Sequence, residues 1–494
     1  MEGSKIAGYF KGKSVLITGS TGFLGKVLVE KILRVEPEVK KLFLLVRAQD
    51  TESAKQRVQS EVIGKELFKV LKEKHGKEFD RFMEEKISPI AGDVIYENLG
   101  IECSQVDNLF DQIDIIVNNA ATTNFYERYD VSLDVNTLGA KHVLEFAKKC
   151  VNLKMLLHVS TAYVAGLQEG LIQEKPLKMG ETLNGSTSLD IESEIRLVEE
   201  TKKELHLSET DSLKNTGKLE RTVMKELGIK RARKYGWPNT YVFTKALGEM
   251  VLDHMRGDVP LVIIRPTIIT SLHKDPLPGW MEGIRTIDSF LLGYAKGNLS
   301  CYLADLNEIM DVIPGDMVVN AMIAAMVMHS GENTETIYHV SSSLRNPILF
   351  RTFEQSGYRY FRENPRVGKN GKTIGFKTVH FFNTIGGFKA YMTLRYKLPL
   401  EALHMVNLLS CGRFTQSYKE LSQRFRFIML LVDLYAPYSF FKGRFDDMNL
   451  QKLRLEIEKD PTDAEIFCFD PKILDWSNYF HQTHIPGVMR FLRK

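Results

Sequence analysis

An apolar strand, a glycine-spaced turn and an amphipathic helix follow one another without interruption in VLITGSTGFLGKVL, residues 15–28. Glycines at 19, 22 and 25 permit a tight turn, close approach of the backbone to a pyrophosphate, and close packing of helix on strand. The helix N-terminus adds unpaired N–H groups and a positive dipole end. A glycine triplet alone is a weak signal; flanked by strand and helix it carries the dinucleotide fingerprint. Gly19, Thr21, Gly22, Phe23, Leu24 and Gly25 are therefore candidate cofactor-binding residues.

The chain beyond this turn alternates short β-branched runs with longer helical patterns. Strands are expected at 14–18, 42–46, 87–90, 113–117, 155–159 and 261–264, with helical periodicity at LGKVLVEKILRV and NTLGAKHVLEFAKKC between them. Continuous apolar strands are buried on both faces, so the expected class is α/β, a Rossmann-type parallel sheet with helices on both sides. From about Ser341 the alternation fades into RVGKNGKTIGFK, and after Leu398 the pattern is mainly helical. A chain of 494 residues with 44% hydrophobic content has room for two domains. The expected division is a dinucleotide domain over 1–345 with a charged helical insertion near 185–235, a connecting region at 346–397, and a smaller helical domain at 398–494.

Charge and cysteine usage exclude several classes. The net charge of +4 is spread over 66 basic and 62 acidic side chains, which leaves no nucleic-acid footprint. Five scattered cysteines without CxxC spacing indicate reduced thiols in a cytosol-facing protein, and HQTH at 481–484 lacks further ligands, so no metal site is expected. The first apolar run, SVLITG, follows a short polar leader and is too short for a signal core. Neither a secretory signal nor a plastid transit peptide is expected. In FRFIMLLVDLYAPYSFF, Arg426 and Asp433 bracket too few apolar residues to span a bilayer.

Chemistry-bearing residues gather at strand ends, where open α/β sheets bind ligands. Arg47 ends LFLLVR, where an NAD-binding chain places a carboxylate for the ribose 2′-hydroxyl; an arginine suits a 2′-phosphate and points to NADPH, although Asp50 lies close by. Asp93, in the turn AGD, is placed to border the adenine, and a plain β-turn explains it nearly as well. Asn119 and Ala120 in VNNAATTNF are cofactor-binding candidates at this edge, where the small Ala120 and Ala121 leave room for a flat cofactor. In LLHVSTAYV, Ser160 and Thr161 are hydroxyls that either face a carbonyl or cap loops.

Further along, YVFTK at 241–245 puts Tyr241 and Lys245 at i and i+4, on one face of a helix. A free phenol, with a pKa of about 10, is a poor acid-base group at neutral pH, and a neighbouring ammonium draws it toward phenolate. Lysine also reaches a ribose hydroxyl. With Thr161 on the same carbonyl oxygen, the set is equipped to protonate an alkoxide as hydride arrives. YxxxK is common by chance; its place after the glycine turn and the HVSTAYV strand gives it weight.

Together these motifs, with IIRPTII, PLPGWMEGIRTID, FDDMN and HIPGV, resemble the plant alcohol-forming fatty acyl-CoA reductases, divergent members of the extended short-chain dehydrogenase/reductase superfamily, along nearly the whole chain. The resemblance implies two successive hydride transfers from NADPH that convert a long-chain acyl-CoA to a primary alcohol. It assigns Tyr241, Lys245 and Thr161 as the catalytic set, makes Lys245 a cofactor ligand as well, and places Asn136 near the site. It also implies association with the endoplasmic reticulum membrane. Gly315 departs from the pattern, where alanine or a small apolar residue is expected.

The long segment between Thr161 and Tyr241 carries a basic cluster, Lys230, Arg231, Arg233 and Lys234, which suits either CoA phosphates or a solvated helix face. The apolar C-terminal helices suit an acyl tunnel, a membrane surface or plain helix packing. A sugar epimerase or dehydratase on the same scaffold and a non-catalytic dinucleotide sensor are the competing readings. The insertion argues against the first and the complete Thr-Tyr-Lys set against the second.

Overall fold

The computed structural model describes residues 4–185, 188–207, 213–284, 287–297, 299–367, 373–374 and 379–492. Part of the insertion and most of the RVGKNGKTIGFK stretch lie outside the described residues. The centre is a seven-stranded, wholly parallel sheet: β1 (Ser14–Thr18), β2 (Lys41–Val46), β3 (Ile87–Ala91), β4 (Ile115–Asn118), β5 (Met155–Val159), β6 (Leu261–Pro266) and β7 (Glu335–Val340). Its spatial order, β3-β2-β1-β4-β5-β6-β7, reverses between β1 and β4, which opens a crevice beyond their carboxyl ends.

The fourth strand starts two residues later than its apolar run, because Ile113 and Asp114 lead out of the helix Cys103–Gln112. The seventh strand lies at the sheet edge. Its run, ETIYHV, is broken by polar Glu335, Thr336 and His339, so it shows no continuous apolar signal.

Helices that position the crevice are α1 (Phe23–Val35), α2 (Thr51–Val58), α3 (Gly139–Lys149), α4 (Ile191–Leu207), α5 (Leu213–Lys234), α6 (Thr240–Met255) and α7 (Gly315–Met328). The insertion is the pair α4 and α5. The C-terminal region is helical and opens with α8 (Leu398–Leu409) and α9 (Thr415–Ser439). Its later part folds back on the first domain: Gly443–Phe445 pairs in parallel with Gly170–Ile172 in a separate two-stranded sheet. Leu450, Phe467 and Val488 share one core with Val15 and Ile17 of β1 and Met317 of α7.

Candidate active site

A cavity of about 820 Å³ occupies the crevice at the reversal point, in the upper range of cofactor-sized clefts. At its base is the glycine turn. Gly19 has φ +66°, and a Cβ there would stand 2.7 Å from the Asn119 carbonyl oxygen and the Ala120 nitrogen, so two strand ends meet at a residue that cannot carry a side chain. Gly22 is the N-cap of α1 and makes no side-chain cap, which leaves the helix end suited to a phosphate. Thr21, Gly22, Phe23 and Leu24 line the cavity; Gly25 lies behind it, packed against the Gly19 carbonyl.

Phe23 stacks on Trp280 with ring centroids 5.4 Å apart. Gly315 makes room for that ring: a Cβ there would lie 2.6 Å from it. The alanine expected at 315 would require the Phe23 ring to shift from its place against Trp280.

Arg47, Asp93, Asn119 and Ala120 also line the cavity. Asp50 is used as the N-cap of α2, accepting from the Ser53 N–H at 2.7 Å, and does not compete with Arg47. Arg57, which carried no signal in the sequence, reaches the same rim and donates to the Arg47 carbonyl at 2.8 Å. These residues fit a dinucleotide: a cradle without side chains for its pyrophosphate and the Arg47 guanidinium at the ribose end, with Arg57 beside it paired to Glu61 at 2.8 Å.

The opposite wall carries Thr161, Tyr241 and Lys245. Helix α6 is started by Asn239, whose side chain accepts from the Val242 N–H at 3.1 Å, so Tyr241 sits in the first turn and Lys245 in the second. Lys245 Nζ donates to the Val159 carbonyl at 2.7 Å and lies 3.2 Å from His158 Nε2. Burial brings its pKa down to about 8, against a smaller opposing pull from Glu249. Thr161 Oγ1 is loosely held, 3.4 Å from the Pro266 carbonyl, and buried Ser160 Oγ beside it has no partner among the described residues. Both hydroxyls border the space in front of Tyr241.

Asn136 stands outside this wall. It joins the Thr122 backbone to Thr244 through bonds of 3.0–3.1 Å, bracing the 119–125 loop against α6. Phe125, at the end of that loop, stacks on Tyr241 at 5.9 Å and meets Tyr435 and Tyr438 of α9 at 5.0 and 5.3 Å. Tyr438 also accepts from Asn239 Nδ2 at 2.7 Å, tying α9 to the cap of the catalytic helix. The C-terminal helices thus supply an aromatic wall beside the reacting centre.

The basic cluster does not reach the cavity. Arg231 is tied to buried Glu194, which also accepts from Tyr129 and Tyr235, while Lys230, Arg233 and Lys234 are exposed. Asp446 accepts from the Met448 N–H at 3.2 Å, whereas Asp447, at the N-cap of the helix Met448–Ile457, is paired through its side chain with Arg345 at 2.8 Å.

Comparison with known proteins adds the following. A family model described as Male sterility protein, its NAD-binding part, matches residues 17–322, and a second model of that description matches residues 395–494. Fatty acyl-CoA reductase 1 of Arabidopsis thaliana is 48% identical over 490 residues, covering 98% of each chain. The alcohol-forming fatty acyl-CoA reductase of Simmondsia chinensis is 48% identical over 491 residues, covering 99% of each. Among solved structures, the reductase domain of a non-ribosomal peptide synthetase from Mycobacterium tuberculosis shares the fold, with a TM-score of 0.56 at 16% identity. That match covers 100% of this chain and 93% of the other.

Proposed function

This chain belongs to the fatty acyl-CoA reductase family, and from that premise we propose that it reduces long-chain acyl-CoA to the primary alcohol with NADPH, through an aldehyde, at one site. The observation that carries the reading is the meeting of Thr161, Tyr241 and Lys245 in a single cavity wall opposite the glycine turn. When bound, the nicotinamide supplies the hydride for each of the two reductions.

The chain's own residues manage position and protons. Thr161 and Tyr241 direct hydroxyl hydrogens at the substrate oxygen, and Tyr241 transfers its proton to that oxygen as negative charge develops there. The product of the first step is a hemithioacetal, which expels the CoA thiol and leaves an aldehyde for the same two hydroxyls. Lys245 steadies the residual phenolate and reaches the ribose. No cysteine lines the cavity among the described residues, so no thioester to the enzyme is invoked. The test is purified protein with NADPH and a series of acyl-CoAs, products resolved by gas chromatography; absence of both alcohol and aldehyde overturns the reading.

Arg47 supports the preference for NADPH. Arg47→Asp is expected to move the NADPH/NADH ratio of kcat/KM by about tenfold toward NADH, the size of one lost charge-assisted hydrogen bond. An unchanged ratio would give the phosphate to another residue, with Arg57→Ala as the next variant.

The reading includes peripheral docking on a phospholipid surface, that of the endoplasmic reticulum in the cell. No helix among the described residues is long and apolar enough to cross a membrane. The α8–α9 hairpin nevertheless exposes Met405 (61%), Leu408 (63%), Leu409 (85%) and Phe427 (60%), and exposed Arg413, Lys419, Arg424 and Arg426 accompany them, a pattern complementary to an anionic lipid surface. The same α9 ends at the aromatic wall of the site. Leu408→Glu with Leu409→Glu is expected to abolish flotation with phosphatidylserine-containing vesicles while leaving NADPH binding intact; flotation equal to the parent would refute docking by this hairpin.

A further inference from the structure

We infer that His484 is a positioning residue of the cofactor site: with Tyr479 it pins the residues on either side of the 272–284 loop, and that loop holds Phe23 beside the glycine turn. The inference rests on the reductase reading only for the cofactor. It gives a common task to the sequence runs PLPGW and HIPGV, which no step of the reaction uses.

The C-terminal grip comes from one turn. Residues Tyr479–His484 are π-helical, a turn in which bonding runs from i to i+5, so Tyr479 and His484 share a face and their ring centroids lie 6.0 Å apart. Both meet Ser271. Tyr479 donates its hydroxyl to the Ser271 carbonyl at 2.7 Å and accepts from Thr270 Oγ1 at 2.7 Å. His484, fully buried, receives Ser271 Oγ at 3.1 Å and the Ser271 N–H at 3.4 Å on Nδ1. A backbone N–H only donates, so Nδ1 is the acceptor and the ring's proton sits on Nε2, 3.0 Å from Asp288 Oδ1. One imidazole thus spans Ser271, which leads into the loop, and Asp288, which opens the helix Asp288–Ala295 after it.

The loop carries this grip to the cofactor turn. Leu272, next to Ser271, donates its N–H to the Trp280 carbonyl at 3.0 Å and accepts from the Gly279 N–H at 2.8 Å, so the two arms of the loop are laddered together. The near arm has a second anchor in Asp316 of α7, which accepts the N–H groups of His273, Lys274 and Asp275. The far arm is seated on the segment that His484 fixes. Gly279 has φ +75°, a Cβ there would stand 2.5 Å from the Thr483 carbonyl oxygen, and Arg490 donates to the Pro278 carbonyl at 3.0 Å. Directly beyond this seat, Trp280 stacks on Phe23, Glu282 pairs with Lys26 of α1, and Gly283 and Ile284 line the cavity.

Phe23 is the first residue of α1, next to Gly22 at its N-cap. A ring held against Trp280 fixes the first helical turn, whose unpaired N–H groups suit the pyrophosphate. The C-terminal region therefore sets dinucleotide affinity and leaves the proton chemistry of Tyr241 untouched.

The test uses the full chain, with NADPH affinity from calorimetry and tryptophan accessibility from acrylamide quenching, for the parent, His484→Ala and His484→Gln. The alanine variant is expected to bind NADPH about five- to tenfold more weakly, the size of one or two lost buried hydrogen bonds. Its kcat at saturating NADPH and acyl-CoA is expected to stay within about twofold of the parent. Quenching is expected to rise, and the rise to vanish in a Trp280→Phe background, which separates Trp280 from the other two of the chain's three tryptophans. Glutamine offers a carbonyl to Ser271 and an amide N–H to Asp288, and is expected to return affinity to within about twofold of the parent. Parental affinity in the alanine variant overturns the inference, as does a lowered kcat with unchanged affinity or a loss of affinity without the Trp280 signal. A loss that glutamine fails to repair is lost packing and overturns it too. If the alanine variant does not fold, Tyr479→Phe decides, because it removes the bonds to Thr270 and Ser271 and keeps the ring: affinity is expected to fall about threefold, and parental affinity overturns the inference. A parent that does not bind NADPH sinks the reductase reading itself, whereas a binding parent with unmoved variants sinks only the role of His484.

Discussion

Tyr241→Phe is expected to lower turnover of acyl-CoA and of a supplied long-chain aldehyde by at least about a hundredfold each, while NADPH affinity stays within about twofold. The substitution removes one hydroxyl. The ring keeps its stack on Phe125, and helix α6 keeps its Asn239 cap, so the cavity retains its shape. Stopped-flow turnover and a fluorescence titration of NADPH separate the two quantities. If one site performs both reductions, both substrates must suffer together, since the same oxygen is protonated each time. Full aldehyde activity in this variant would require a second reduction site and would refute the single-site scheme.

Gly19→Ala is the second large effect, and it falls on binding and stability instead of chemistry. Its left-handed φ disfavours any side chain, and the new methyl would press on the backbone of Asn119 and Ala120 at 2.7 Å, where no rotamer can yield. The expected destabilisation is about 2–4 kcal/mol, from strain at this φ together with overpacking. NADPH affinity is expected to fall more than about tenfold, because β1 and β4 must separate where the pyrophosphate lies. Thermal unfolding with and without NADPH measures both. An alanine variant with parental melting temperature and affinity would mean that the turn does not hold the cofactor.

The legible parts of this chain are those in which one local rule decides the outcome. The central strands β1, β2, β4, β5 and β6 are covered on both faces and read as largely apolar runs, whereas the edge strand β7 carries Glu335, Thr336 and His339 and was invisible to the same rule. Tyr241 and Lys245 were legible because helix periodicity alone puts them together. Arg57 was not, since only the folding of α2 across the end of β2 brings it to the rim beside Arg47. His158 did give a signal, a lone polar residue inside MLLHV, but the group it faces, Lys245, lies on helix α6. Arg231 looked like a free cation because its partner, Glu194, belongs to a different helix. The aromatic wall joins Phe125 to Tyr435, a contact that no local pattern encodes.

The return of the chain's last third to its first strands bears on how the protein is made. Ile6 donates its backbone N–H to the Asp463 carboxylate at 3.4 Å, Lys31 of α1 bonds the Ile466 carbonyl at 2.6 Å, and Phe467 and Val488 close the core around β1. The dinucleotide crevice is encoded early in the sequence, but the apolar core behind it, to which α7 also contributes, is completed only when residues 448–492 have left the ribosome. Until then the nascent sheet carries an incomplete core, and contacts of such long sequence separation slow folding.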